Sequence, residues 1–244
     1  MSFKKYFLLI NIITVLVCAS CEDKKKASEV KTETLKEEAN VSTIPSEVSE
    51  GIVETIITKT YPKISNENAV DFLTTYGKEN PETKVLITTH VGTIELELFD
   101  DAPLHRANFI YLVKQGYFNE TFFYRVVPNF IIQGGNSDLR STSKKRASIG
   151  SYILPAELHN GRNHKMGTIS GAKAYRKNPD KNSVPFEFFI FLGPQTSTGH
   201  LDGSYTVFGK VTKGMNVVKK IANLPSDDGD WPLQNVYIEA KVIN

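Results

Sequence analysis

Cysteine is nearly absent from this chain: of its 244 residues only Cys18 and Cys21 carry a thiol, and both lie close to the N-terminus. The rest of the chain can therefore form neither a structural disulfide nor a thiolate metal site. Histidine offers no substitute. His90, His105, His159, His164 and His200 show no H-E-x-x-H or comparable ligand spacing, which argues against a metal hydrolase. G-x-S-x-G is missing as well, so a serine nucleophile has no support. Asp227-Asp228-Gly229-Asp230 beside the single Trp231 marks a turn, because a calcium loop needs ligands at wider spacing. Neither a metal nor a cofactor is expected. Charge of one sign is also lacking. The net charge is +2 and the charged fraction 23%, so composition calls for no nucleic acid and no acidic partner. No internal repeat is present.

Long apolar runs are scarce too. Residues 6–17 follow Lys4 and Lys5 and are broken only by Asn11 and Thr14. They are too few to cross a bilayer comfortably, which takes about 20 residues. They read as the apolar part of a signal peptide over 1–20. Cys18-Ala19-Ser20-Cys21 resembles a bacterial lipobox, with small residues before Cys21 as the lipidated cysteine and Cys18 where leucine is usual. A plain secretory signal and an uncleaved anchor are the alternatives. Because two acyl chains give firm anchoring, the mature protein is expected to be exported and lipid-anchored to the bacterial cell envelope, periplasmic or outer membrane. Glu22 rather than Asp after Cys21 favours the outer membrane, by resemblance to sorting rules. Phe, Trp and Tyr are missing from 22–60, and this Lys-, Glu-, Ser- and Thr-rich stretch buries too little apolar surface to order itself. Residues 21–60 are thus expected to be a disordered tether. About 40 residues of flexible coil reach roughly 30–40 Å.

Aromatics return at Tyr61. Residues 66–77 suggest a short helix, with Asn66 or Asn68 as cap, Ala69, Val70, Leu73 and Tyr76 at helical spacing, and Gly77 at its end. It would pack as an N-terminal extension over 61–83. The globular domain is expected over 84–244. Residues 85–89 and 93–99 read as a hairpin joined at Val91-Gly92, and Ile94, Leu96 and Leu98 alternate with Glu95 and Glu97, the pattern of a half-buried antiparallel strand. Asp101-Ala102-Pro103 starts a helix that Gly116 ends, with Leu104, Ala107, Ile110 and Tyr111 inward. A second helix covers 215–222, with Met215, Val218 and Ile221 inward. Short strands at 188–192, 206–211 and 236–242 complete a mainly β pattern. It points to an antiparallel barrel capped by two helices. Residues 136–151, with Lys144-Lys145-Arg146, read as a solvated loop.

The most telling stretch runs from 123 to 135, Phe-Tyr-Arg-Val-Val-Pro-Asn-Phe-Ile-Ile-Gln-Gly-Gly. Strand alternation there sets one cationic donor beside an apolar patch, and the glycine pair allows a sharp bend. Such a surface suits a neutral, apolar ring next to an amide that must be polarised, which describes a proline peptide. Arg125 is always charged and carries several N–H groups in a planar fork. Gln133 is placed to hold that guanidinium. Phe130 and Ile131 offer floor or wall for a ring.

This stretch closely resembles the cyclophilin signature F-H-R-[VI]-[IV]-x-x-F-[MI]-x-Q-G-G, with Tyr124 where histidine is common. The resemblance extends over 84–244 through Val91-Gly92-Thr93-Ile94-Glu95-Leu96-Glu97-Leu98-Phe99, Asn108-Phe109, Phe189-Ile190, Leu201-Asp202-Gly203 and Val207-Phe208-Gly209-Lys210-Val211. It implies a closed eight-stranded β-barrel with two capping α-helices. It also implies peptidyl-prolyl cis-trans isomerase activity, with Arg125 and Gln133 catalytic. The proline site then takes Phe130, Ile131, Ala172, Phe189, Leu201, His200, Tyr205 and Glu187. His200 falls where Trp or Phe is frequent. Glu187 replaces a substrate-facing glutamine of S-S-G-S-Q-F-[FY]-I, Pro185-Phe186 replace a small pair, and Lys173 stands where Asn is usual. Glu187 either pairs with Arg125 and orients it or holds it away from substrate, and Lys173 is an alternative partner for Glu187. Taken with the N-terminal segment, the resemblance leads to the expectation of a lipid-anchored isomerase acting on exported proteins, monomeric and partnered by proline-containing segments. A proline-peptide binding module or holdase with little turnover is the alternative, and a structural lipoprotein a third.

Overall fold

The computed structural model describes residues 61–173 and 178–244. The signal peptide read over 1–20, the lipidation site Cys21 and the tether over 21–60 lie outside the described residues.

The described elements are β1 (Ile64–Ser65), α1 (Ala69–Glu79), β2 (Lys84–Thr89), β3 (Gly92–Leu98), α2 (Pro103–Lys114), β4 (Phe122–Val127), β5 (Ile131–Asn136), α3 (Arg140–Ile149), β6 (Gly150–Ser151), β7 (Thr168–Lys173), β8 (Ser183–Phe191), β9 (Val207–Lys213), α4 (Met215–Ala222), β10 (Val236–Tyr237) and β11 (Glu239–Ile243). Nine strands form one sheet in the order β10-β4-β5-β8-β7-β9-β3-β2-β11, with every pairing antiparallel. Only Ile238 separates β10 from β11, and its N–H donates to the Thr121 carbonyl at 2.9 Å. One C-terminal segment therefore pairs with β4 through its first half and with β2 through its second. That bends the sheet into a nearly closed barrel. Counted as one broken strand, β10 and β11 make the eight that the resemblance implies.

The hairpin shows why this sequence closes inward. Ile87 lies opposite Ile94 and Val85 opposite Leu96, and all four are essentially inaccessible, while the intervening glutamates stay outside. Phe109 of α2 and Phe188 of β8 meet edge to face inside the barrel at 5.3 Å. Val218 and Ile221 of α4 are fully buried. Pro103 opens α2, where its missing N–H costs nothing, and Gly116 follows it in the left-handed region at φ +62°.

Two local expectations are corrected. Residues 136–151 are not a loop: α3 occupies their centre. Its polar sequence carries little periodic signal, with only Thr142 and Ile149 buried, and tertiary bonds hold it. Thr142 Oγ1 donates to the Glu120 carbonyl at 2.9 Å and Lys145 Nζ to the Gly116 carbonyl at 2.7 Å. At the other site, Gly77 does not end α1 but sits inside it. A Cβ there would come within 2.9 Å of Ala107 Cβ, so the glycine lets α1 lie close against α2. Asn68 precedes α1 without capping it through its side chain; its amide instead accepts from Ser65 N–H and donates to the Lys63 carbonyl.

The segment ahead of the barrel is tied down at three places. β1 pairs in parallel with β6. Tyr61, Phe72, Tyr76 and Tyr111 form a ring cluster with centroids 5.1–5.8 Å apart. Arg106 of α2 donates to the carbonyls of Gly77, Asn80 and Glu82, satisfying acceptors that the end of α1 leaves open.

Candidate active site

Simple alternation would put Phe123 and Arg125 on one face of β4, and the structure does not. The β4–β5 register shifts around Tyr124: Phe123 lies opposite Gly134 while Arg125 already faces Gln133. The bulge turns both Tyr124 and Arg125 outward, half-buried, while Phe123 and Val126 stay in the core. From Arg125 a row then crosses the barrel wall, since Gln133 is opposite Phe189 and Phe189 opposite Ser170.

On β5 and β8 the alternation is regular. Ile132, Phe188 and Ile190 belong to the interior core. Ile131, Phe189 and Phe191 point the other way and join Leu201 in a separate apolar cluster, with Val127, Phe130 and Tyr205 packed against it. This cluster is a patch on the outer wall, formed by five of the residues read from sequence plus Val127 and Phe191, which were not. Phe130 stands edge-on to Phe191 at 6.1 Å, and Tyr205 edge-on to Phe189 at 5.5 Å. His200 is exposed and lies over Phe130 at 5.9 Å, at the rim. Ala172 is buried on β7. Its neighbour Lys173 holds its ammonium 4.8 Å from the centre of the Tyr205 ring, a cation–π contact in place of the Glu187 partnership considered above.

Glu187 does not pair with Arg125. Its Oε2 accepts from the Tyr124 hydroxyl at 2.8 Å and its Oε1 from Asn136 Nδ2 at 3.0 Å. Arg146 of α3 lies 3.8 Å from Oε1, donates to the Tyr117 hydroxyl at 2.9 Å, and covers the Phe186 ring at 4.8 Å. The helix that sequence reading missed therefore supplies the counter-charge. Arg125 finds a different carboxylate: its Nε donates to Asp230 Oδ2 at 3.1 Å. Gln133, expected to hold Arg125, donates its amide nitrogen to the Tyr124 hydroxyl. That orientation follows from the chemistry, because a hydroxyl whose proton goes to a carboxylate can only accept from Gln133.

A buried histidine lies behind the patch. His164 stacks on Phe189 at 5.8 Å with 3° between ring planes and meets Phe191 edge-on. Its Nδ1 is 2.7 Å from Asp202 Oδ1 and its Nε2 3.0 Å from Ser170 Oγ. Burial drives its pKa below the ordinary imidazole value despite Asp202. The Ser170–His164–Asp202 order resembles that of a nucleophilic triad, but Ser170 and His164 are fully buried, so no carbonyl can reach the hydroxyl. They are a satisfied polar support for the patch. A second such array, Ser183–His105–Glu157, has spacings of 2.9 and 2.6 Å and is likewise buried. Residue spacing alone carried no signal for either.

An outward patch of aromatic and aliphatic side chains, edged by a held arginine on an antiparallel barrel, defines a protein that handles an apolar ring beside a polarisable amide. Residues 84–242 match the family model described as cyclophilin type peptidyl-prolyl cis-trans isomerase/CLD. A peptidyl-prolyl cis-trans isomerase of Acinetobacter baylyi is 40% identical over 172 residues, spanning 66% of this chain and 87% of its own. Peptidyl-prolyl cis-trans isomerase A of Dickeya dadantii is 39% identical over 164 residues, spanning 66% and 82%. A cyclophilin-type isomerase of Cryptosporidium parvum, known from its crystal structure, superposes with a TM-score of 0.55 at 28% identity, covering 66% of this chain and 99% of its own. The chain belongs to the cyclophilin-type peptidyl-prolyl cis-trans isomerases, enzymes of X–Pro bond rotation.

Proposed function

We propose that Arg125 catalyses this rotation by donating a hydrogen bond to the prolyl nitrogen while the ring sits on the patch of Phe130, Ile131, Phe189 and Leu201. Rotation about an amide faces a barrier of ~18–20 kcal/mol set by resonance, and X–Pro exchange takes tens of seconds without help. A donor at nitrogen stabilises the pyramidal, twisted state more than the planar one, and a dry surface strengthens that interaction. No nucleophile, metal or cofactor is required. Gln133, its amide oriented by Tyr124, presents its carbonyl oxygen toward the substrate backbone. Ala172, Tyr205, His200 and Glu187 complete the rim. The Cryptosporidium relative was crystallised in the presence of the dipeptide Ala-Pro, which supports proline-containing segments as the partner here.

The substrates are exported proteins, and the enzyme works as a monomer held to the cell envelope through lipidated Cys21. This part rests on the lipobox-like Cys18-Ala19-Ser20-Cys21 and the apolar run before it.

The observation that carries the proposal is the cross-strand pairing of Arg125 with Gln133 beside the outer-wall patch. Isomer exchange on an Ala-Pro peptide, followed by NMR with the full chain in detergent, tests it. Sub-stoichiometric acceleration that falls by about 10²–10³ in Arg125→Ala is expected, the usual loss for removing one preorganised donor. Binding of the peptide without acceleration would make the protein a proline-peptide binder instead.

A further inference from the structure

Asp230 is a non-glycine residue in the left-handed region, at φ +65°. Asp tolerates that conformation better than most residues, yet the position calls for a reason. It lies at the tip of a built turn. Ser226 and Pro232 bridge antiparallel, and Asp227 N–H donates to the Trp231 carbonyl at 2.9 Å. Asp227 Oδ1 accepts from the N–H groups of Gly229 and Trp231 at 2.8 and 2.9 Å. Trp231 anchors the turn on Phe122 and Tyr124, with ring centroids 5.3 and 5.9 Å away. The Asp230 carbonyl accepts from Val126 N–H at 2.8 Å, so the turn docks on β4 one residue from Arg125. Backbone docking and left-handed geometry together bring the Asp230 carboxylate to Arg125 Nε.

Two observations point to a role for this pair other than stability. Arg125 and Asp230 side chains are 36% and 41% exposed, a setting in which ion pairs add little to stability. The bond also uses Nε, the inner nitrogen. The two terminal nitrogens of Arg125 have no hydrogen-bond partner among the described residues.

We propose that Asp230 is a positioning residue for the isomerisation: it locks the Arg125 guanidinium through Nε and keeps the terminal nitrogens free for the prolyl amide. The inference rests on Arg125 as donor. A planar fork clamped at one nitrogen has its plane and direction set before substrate arrives, which removes the ordering that an unheld, half-exposed arginine would have to undergo on binding.

The test uses the full chain in detergent and an Ala-Pro peptide. Asp230→Gly deletes the carboxylate yet keeps the left-handed backbone, and Asp230→Asn keeps an acceptor. The exchange rate of the Arg125 Nε proton, read by NMR, reports the clamp directly. Asp230→Gly is expected to lower kcat about 10- to 100-fold with KM within about twofold, and to speed Nε proton exchange toward that of free arginine. Asp230→Asn should recover most of the rate, and Arg125→Ala with Asp230→Gly should be no slower than Arg125→Ala alone. If Arg125→Ala abolishes acceleration while Asp230→Gly leaves kcat intact, the positioning role is overturned and Arg125 as donor stands. If Arg125→Ala is itself harmless, both fall. Should Asp230→Gly not fold, a wild-type Nε proton exchanging as fast as in free arginine overturns the clamp, and a protected one supports it.

Discussion

The hydroxyl of Tyr124 on β4 donates to the carboxylate of Glu187 on β8 across 2.8 Å, with Gln133 of the intervening strand bonded to the same hydroxyl. Tyr124 stands where the family signature has histidine, and Glu187 where it has glutamine. The two departures meet in space and form one unit. Tyrosine supplies the donor that a carboxylate needs, and Arg146 supplies the opposing charge.

That unit makes the two positions interdependent. Tyr124→Phe should cost ~1–2 kcal/mol of stability by stranding the carboxylate and the Gln133 amide, and should lower kcat/KM several-fold as Gln133 loses its orientation. Glu187→Gln alone should do less, because glutamine still accepts from the hydroxyl. The double substitution should show a coupling of roughly 0.5–3 kcal/mol, measured by urea unfolding of the four proteins. Strict additivity would mean that Tyr124 and Glu187 act separately.

The His164–Asp202 pair gives stability a pH dependence of definite sign. Burial lowers the His164 pKa from 6.5. Asp202 lies below 3.8 because, although burial opposes it, hydrogen bonds from the His164 backbone and ring and from Thr198 outweigh burial. In both cases the unfolded chain binds protons more readily than the folded one, so stability rises with pH. The His164 share is lost as pH falls below 6.5, and the Asp202 share as pH falls below 3.8 toward its folded pKa. Urea midpoints between pH 7.5 and 3 should therefore decline on acidification, and His164→Gln should flatten the upper part of that decline.

Gly77→Val places a branched side chain where even a Cβ would lie 2.9 Å from Ala107. Forcing extra volume between packed helices costs about 1–3 kcal/mol. The thermal midpoint should drop. Activity per folded molecule should stay near wild type, since α1 supplies none of the site residues.

Cys21→Ser should release the protein from membranes. In a bacterial host, the wild type should partition with the membrane fraction and incorporate labelled palmitate, while the variant does neither and Cys18→Ser does both. Labelling of the Cys21→Ser protein would move the acylation site to Cys18.

Short-range pattern made much of this molecule legible. Glu95 and Glu97 set against Ile94, Leu96 and Leu98 exposed a strand and its buried face, because side chains alternate every residue. Pro103 marked the start of α2 for a reason internal to the backbone. The stretch from 123 to 135 carried the family resemblance and two of the five patch residues read from sequence, Phe130 and Ile131. By itself, then, the sequence determined the barrel, the family and the chemical kind of the site.

What it left undecided depends on residues far apart in the chain. Arg125 and Asp230, Tyr124 and Glu187, and Arg146 and Tyr117 meet only when strands and turns distant in sequence come together. A bulge, not alternation, turned Arg125 outward. The polar helix α3 has no periodic apolar face to announce it, and it stands because Glu120 and Gly116 offer carbonyls to its side chains. A propensity acts on neighbours, but an ion pair is assigned by whichever charge the fold brings within a few ångströms. Tertiary structure alone decided that Arg125 is held by Asp230 and not by Glu187.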